Sequence, residues 1–440
     1  MKALKVVFLL HNAYGVGGTI RTTLNLASAL SERHDVTIVS LMRHRERPRF
    51  EVDPRVRLVP LVDVRAGSAD TLAALFAEPA EAFPSAERRH HQYTRLHDAR
   101  VAAYLRRCDA DVIIGTRPGI NVYLARFGPR RALLVGQEHL RHDAHSKRLR
   151  AQLARHYRRL DALVTTTEAD ADVYRRRMPL PGVRILSIPN MVPRPQVLPS
   201  DGTAKVVAAA GRLVPGKRFD LLVSAFATVA ERHPDWRLRI YGGGQQKEPL
   251  ERAVEELGLG GQVELMGVRS PIEPEFAQAS VVASASDAES FGMTLVEAMR
   301  CGVPVVSTDC PLGPAEIISD GHDGRLVPTG DEAALAKALL ELIEDAPRRR
   351  AMGAAALESA RRYDPEPIAA RHELLFAELR STRRRRAWRR ILPARARRAL
   401  RRLRGPGGGG TALPAPSAEG PAGPDRAPRE ARTPVTASTD

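Results

Sequence analysis

Short apolar runs, each followed by a glycine-bearing loop and then by residues at helical spacing, recur along this chain in two series, and few architectures accommodate that pattern. The first run is VVFLL at 6–10. A stretch with no polar side chain on either face belongs inside a parallel sheet covered by helices on both sides. A loop with glycines, 11–18, follows it, and a helix is expected from about Thr19, where Leu24, Ala27 and Leu30 recur on one face. Further inner strands are expected at 36–41, 111–115, 132–137 and 162–165. Strands alternating with helices in this way specify a doubly wound α/β domain.

The series breaks at PNMVPRP, 189–195, and at PSDG, 199–202, where prolines and turn residues exclude both helix and inner strand. A second series starts with a strand at 205–210 and continues at 237–241, 263–266, 281–284 and 303–308. We therefore expect two similar domains of ordinary size, residues 1–192 and 193–363. A further helix over 364–379 has Pro365 in its first turn and Ile368, Leu374, Leu375 and Leu379 along it. No apolar run approaches the ~20 residues of a membrane helix, and the run at 6–10 is shorter than the roughly 7 to 15 residues of a secretory-signal core. A cytoplasmic protein is expected. Cys108, Cys301 and Cys310 have no paired spacing, which disfavours a disulfide framework or a zinc site.

Charge separates the C-terminal end from the rest. Of the net +17, twelve arginines and no acid fall within 383–404, so the preceding chain is only mildly basic. This basic segment, 381–404, interleaves Trp388, Ile391, Leu392, Leu400 and Leu403 with its arginines, the pattern of an amphipathic helix interrupted by Pro393. An anionic membrane surface is one partner for it, nucleic acid or another acidic polymer is a second, and a solvated extension is the plain alternative. A nucleic-acid-binding protein is disfavoured, because the charge is confined to this segment and not spread over a folded face. Residues 405–440 are rich in Gly, Pro, Ala and Ser and nearly free of large apolar side chains, which reads as a disordered tail.

In open α/β sheets ligands sit at the carboxyl ends of the strands, so the chemistry should lie in the loops that follow them. The loop GRLVPGK at 211–217 nearly satisfies the P-loop pattern, with glycines five apart and a following lysine. It departs at Arg218, where a hydroxyl for magnesium is required, and at Pro215, which removes an amide N–H. What remains is Arg212 and Lys217 presented from one loop, suited to neutralising a diphosphate without a metal. The segment DAESFGMTLVEAM at 287–299 puts Gly292 at a helix start, Glu289 just before it and Glu297 within it. Eight residues at 1.5 Å each span about 12 Å, roughly the distance from ribose to sugar in a nucleotide sugar. Free N–H groups near Gly292 and Met293 would face the phosphates between, with one carboxylate on ribose and the other on sugar. Solvated helix caps are the alternative. In GVGGT at 15–19, Ile20 stands where a dinucleotide fingerprint needs glycine, which disfavours a dehydrogenase. Gly17 and Gly18 still permit close approach of a phosphate or sugar.

In order and spacing, Gly17 with Gly18, GRLVPGK, YGGG at 241–244, Glu289 with Glu297, and GPAEII at 313–318 with GRLVP at 324–328 resemble the family-four retaining glycosyltransferases, glycosyl transferases group 1, over nearly all of residues 1–380. The resemblance implies a GT-B fold: two Rossmann-like doubly wound domains facing across a cleft, the first on the acceptor side and the second holding the donor, with 364–380 crossing back onto the first. It implies retaining transfer of a hexose-type sugar from a UDP- or GDP-sugar to a hydroxyl acceptor, such as a lipid-linked glycan, in polysaccharide or glycoconjugate synthesis, without cofactor or metal. Acceptor choice would fall to first-domain loops such as 63–97.

By the same resemblance Arg212 and Lys217 bind the donor diphosphate, Glu297 the ribose and Glu289 the transferred sugar. The backbone of Phe291, Gly292, Met293 and Thr294 contacts sugar and phosphates, and Val268 with Arg269 holds the base. His139, in GQEH at 136–139, matches a histidine beside the sugar, although a metal reading with His142 and His145, or a plain strand-end histidine, stays open. Asp109 and Asp111 form a superficial Asp-x-Asp but read as a helix-to-strand turn. Departure and attack on one face of the sugar would place the catalytic demand on stabilising the leaving diphosphate. A GT-B epimerase or phosphorylase is the rival enzyme class.

Overall fold

The computed structural model describes residues 2–391; the expected tail and most of the basic segment lie outside the described residues. The first series of strands comprises β1 (Lys5–Leu10), β2 (Asp35–Ser40), β3 (Arg57–Pro60), β4 (Val112–Gly115), β5 (Leu133–Glu138), β6 (Ala162–Thr165) and β7 (Arg184–Ser187). They form one sheet in the order β3-β2-β1-β4-β5-β6-β7, parallel throughout. The second series, β8 (Val206–Ala210), β9 (Arg237–Tyr241), β10 (Val263–Gly267), β11 (Val281–Ser284), β12 (Val305–Thr308) and β13 (Gly324–Val327), forms another in the order β10-β9-β8-β11-β12-β13, again parallel.

The burial pattern explains the unbroken apolar runs. Val7 and Leu9 of β1 enter the core on one side of the first sheet, and Val6, Phe8 and Leu10 enter the core on the other. In β11, Val281 and Ala283 face one core while Val282 faces the opposite one. These inner positions therefore meet helices on both faces of the sheet, and no solvent face remains there for polar residues. The helix Pro365–Ser381 buries Ile368, Ala369, Leu375, Phe376 and Leu379 in the same cluster as Val6, Phe8 and Leu24, so it crosses back onto the first sheet. Leu374, which the sequence groups with these residues, is 48% exposed.

Both sheets reverse direction beside their first strand, between β1 and β4 and between β8 and β11. Connections leave to opposite sides there, which opens a crevice over the strands' carboxyl ends. Loops after β1, β4, β8 and β11 thus have the position from which a ligand is held. Among the described residues no helix is long and apolar enough to cross a membrane.

Candidate active site

After β8 the chain passes through the glycine-bounded loop into a 3-10 turn, Pro215–Lys217, and Arg218, with φ 49°, starts the helix Phe219–Arg232. The YGGG segment after β9 braces this loop. A Cβ on Gly242 would run into the carbonyl oxygen of Gly211, and one on Gly244 into that of Leu213. The Leu213 amide donates to the Gly243 carbonyl at 3.0 Å, and the Gln246 amide to the Leu213 carbonyl at 3.0 Å. Backbone lies directly on backbone, which fixes where Arg212 and Lys217 emerge. Arg212 is exposed, whereas Lys217 is half-buried and ion-paired with Glu289. The same Glu289 oxygen accepts from Ser286 Oγ at 2.8 Å. Its main chain is pinned to the loop after β12, its amide donating to the Pro311 carbonyl at 3.0 Å and its carbonyl accepting from the Leu312 amide at 3.1 Å.

Gly292, at φ 112°, turns the chain into the helix Met293–Arg300, a conformation in which a side chain would be strained. That helix has no side-chain cap, so its first amides remain available to an anion. Phe291 is buried edge-on against Tyr363 at 5.5 Å, so only its backbone can face a ligand, and Thr294 is half-buried at the helix start. One turn further on, Glu297 is buried. Arg21, from the helix Gly18–Ser31 on the first sheet, donates from Nη1 to Glu297 Oε1 at 3.0 Å and pairs through Nη2 with Glu273. Burial pushes the Glu297 carboxyl up to about 7, with Arg21 opposing the shift and Glu273 adding to it.

Two more ties join the sheets. Thr166 Oγ donates to the Ser290 carbonyl at 2.6 Å. The Glu316 carboxylate accepts from the Glu168 and Ala169 amides at 2.9 and 2.8 Å, which caps the helix Glu168–Arg177 from the opposite domain. Beside these ties a Cβ on Gly17 or Gly18 would meet nothing within 4 Å, so the loop after β1 faces open space.

Lys217, Glu289 and the helix start of Gly292, Met293 and Thr294 are thus brought together, with Glu297 behind them. His139 follows β5 beside a small cavity that Gln137, Thr166 and His372 also line, and its Nε2 is buried with no hydrogen-bond partner among the described residues. Burial holds its pKa down at about 4 against the pull of Glu138. No hydrogen bond or ion pair among the described residues joins it to Lys217 or Glu289. Val268 is 69% exposed just past β10, within 3.1 Å of where a Cβ of Gly243 would lie, and Arg269 lies 3.7 Å from Glu275.

The metal alternatives have structural occupations. His142 pairs with Asp143 at 2.9 Å, and His145 lies 3.5 Å from Glu138. Among the described residues no cluster of three His, Cys, Asp or Glu is arranged to hold a metal ion. Asp109 pairs with Lys5, and Asp111 accepts from the Lys5 amide at 2.9 Å and from Arg380 at 2.8 Å. Both lie at the amino ends of β1 and β4, opposite the cleft.

Two doubly wound parallel sheets whose switch-point loops converge define the GT-B architecture. Residues 16–194 match the family model Glycosyltransferase Family 4, and residues 194–359 match Glycosyl transferases group 1. The chain belongs to this glycosyltransferase family. It is 35% identical over 390 residues to an exopolysaccharide phosphotransferase of Streptomyces coelicolor, a match covering 86% of this chain and 41% of that protein. The chain therefore spans less than half the length of that relative. Among solved structures, TarM of S. aureus in complex with Fondaparinux, alpha-GlcNAc-glycerol and UDP matches with a TM-score of 0.68 at 16% identity, over 85% of this chain and 99% of that one. HepE of Anabaena in complex with UDP-glucose matches with a TM-score of 0.65 at 20% identity, over 86% and 100%. These two likenesses are of fold.

Proposed function

We propose that this chain transfers a hexose-type sugar from a UDP- or GDP-sugar to a hydroxyl acceptor with retention at the anomeric carbon, in polysaccharide or glycoconjugate synthesis. The observation that carries the reading is the meeting of Lys217, Glu289 and an uncapped helix start at the carboxyl ends of β8 and β11. Lys217 and Arg212 neutralise the departing diphosphate, and the amides of Met293 and Thr294 add hydrogen bonds to it. These fixed charges and dipoles need no reorganisation as the leaving group gains charge, and they act without a metal. Glu289 accepts from hydroxyls of the sugar; a diphosphate competes with it for Lys217. Glu297 accepts from the ribose, exchanging Arg21 for it, while Val268 and Arg269 lie beside the base. Gly17 and Gly18 leave room for phosphate or sugar. His139, neutral at pH 7, offers a hydrogen bond from the acceptor side. Glu289 is held by both Lys217 and Ser286, which suits a positioning role better than back-face attack and favours departure and entry on one face.

UDP is the first nucleotide to try, since TarM and HepE were crystallised with UDP and UDP-glucose. Thermal melting of the full chain against UDP-, GDP- and ADP-sugars is the test, because a bound donor stabilises the fold by mass action. A rise with one nucleotide family and a product retaining the donor's anomeric configuration by NMR are expected. No rise with any of them would sink the reading.

The helix Arg383–Ile391 supports a subordinate proposal, peripheral contact with an anionic membrane that presents a lipid-linked acceptor. Trp388 is 65% exposed there, and Arg384 and Arg385 are exposed beside it.

A further inference from the structure

On the first-sheet side of the cleft lies a concentration of positive charge that donor binding does not use. His11 follows β1, Arg117 precedes the helix Pro118–Phe127 after β4, and Arg89 comes from the long connection between β3 and the helix Arg95–Arg107. Arg89 Nη1 lies 3.2 Å from His11 Nε2, and His11 Nδ1 lies 2.7 Å from Tyr93 Oη. A guanidinium can only donate, so Nε2 is the bare nitrogen and Nδ1–H donates to Tyr93. His11 is therefore neutral, in keeping with a pKa driven far down by burial and then by Arg117 and Arg89.

Arg117 pairs with Glu87 at 2.6 Å, yet the Arg117 Nε and Glu87 Oε2 atoms are buried without a hydrogen-bond partner among the described residues. Neither Arg89 nor Arg212 forms an ion pair among the described residues. Arg212 nevertheless lies near enough, from the opposite domain, to repel Arg89, adding to burial and Arg117 in lowering its pKa. Two guanidiniums, Arg89 and Arg117, thus sit with one carboxylate and a neutral imidazole on the first-sheet side. Like charges in a partly desolvated site repel, and an oxyanion among them removes that cost. A pocket of about 680 Å³, of the size that holds a small ligand, opens at His11, Arg89 and Tyr93, with Arg117 outside its lining and behind His11 and Arg89.

We propose that the acceptor carries an oxyanion, a phosphate or a carboxylate, which Arg89 grips with Arg117 behind it. The assignment rests on the glycosyl-transfer reading above. The side chains point to acceptor and not donor because Arg89, Arg117 and His11 all come from the first sheet. The donor's diphosphate has its own partners in Arg212, Lys217 and the helix start at Met293. Arg89 then sorts acceptors by charge before their hydroxyl reaches the sugar.

The test titrates the full chain, with and without UDP, with glucose, glucose 6-phosphate, glucuronate and inorganic phosphate, for wild type, Arg89→Gln and Arg89→Lys. Glucose 6-phosphate or glucuronate should bind at least tenfold more tightly than glucose. Arg89→Gln should remove that margin, Arg89→Lys should restore part of it, and both variants should keep the wild-type melting temperature and nucleotide affinity. The preferred anion, phosphate or carboxylate, is read from which probe wins. Equal binding of glucose and both anionic probes overturns the proposal. So does inorganic phosphate binding as tightly as either, since the site then holds a bare anion only. An Arg89→Gln loss of nucleotide affinity equal to its loss for the sugar acid overturns it too, since the arginines then serve the donor. Failure of the transfer reading looks different: no nucleotide binds, while the anionic probes still do.

Discussion

Glu297 sits where burial and pairing pull in opposite directions, and the outcome is measurable. Its folded pKa, raised to about 7, exceeds the ordinary value of 4.5. Between those values the folded chain holds a proton that the unfolded chain has released. This group's contribution is therefore fully present below the ordinary value and lost as pH rises through the folded one. Glu297→Gln does not titrate. Melting temperatures from about pH 5 to about pH 8 should show the variant gaining on wild type as pH rises, by about 1–3 kcal/mol in all; a flat difference counts against the buried placement. In binding, Glu297→Ala should weaken nucleotide affinity roughly tenfold or more, the worth of one charge-assisted hydrogen bond. Glu289→Ala should instead leave affinity near wild type and lower kcat, since its partner is the sugar. Unchanged affinity and rate in both would refute these roles. Lys217 and Glu289 were legible in the sequence because each sits in a motif directly after an apolar strand. Arg21 was not: its partners lie 252 and 276 residues away, and nothing around it distinguishes it from a solvated helix arginine.

At the scale of elements, the inner strands were readable because both faces are buried and the runs admit no polar residue. Strands β6, β9 and β11 lie where the apolar runs place them, at Ala162–Thr165, Arg237–Tyr241 and Val281–Ser284. Of the four edge strands, β10 was read at 263–266, whereas β3, β7 and β13 went unread. They are four residues each, with mixed exposure and Arg, Pro, Ser or Gly among them, so the apolar signal fades where only one neighbour strand covers the chain. The glycines after β9 were legible as a motif but not as a brace, because the contact is with carbonyls of a different loop. Gly244→Ala should push the Leu213 carbonyl away, at φ 155° and with no side chain able to yield. We expect about 2 kcal/mol of lost stability and a larger loss of nucleotide affinity than that destabilisation alone explains, because Arg212 and Lys217 move with the loop. Denaturant melts alongside nucleotide titrations of the folded variant check both; an unmoved affinity means the loop is not held from β9.

For the whole molecule, the unsettled question is whether the basic C-terminal segment is an appendage or part of the body, and the described portion is both. Arg386 is buried and pairs with Asp161 at 2.6 Å while donating to the Leu379 carbonyl, and Arg383 donates to the Arg131 carbonyl at 2.9 Å. Two of the arginines that composition assigns to a solvated or lipid-facing helix are instead braces across the first sheet, a use that depends on the crossing helix having delivered them there. Deleting everything after Thr382 therefore confounds two effects. Arg386→Ala alone should cost about 3 kcal/mol, as removal of one partner from a buried pair does, and the truncation should melt early for the same reason. The membrane proposal needs a variant that spares the brace. Trp388→Ala combined with Arg384→Gln and Arg385→Gln alters only exposed side chains, so its melting temperature should match wild type. Pelleting with vesicles rich in phosphatidylglycerol should then fall several-fold against wild type, with wild-type binding itself weakened by added salt, since exposed charges are screened within about 8 Å at physiological ionic strength. Equal pelleting of the triple variant and wild type would remove these three exposed residues from any lipid contact, while Arg383 and Arg386 keep their place in the fold.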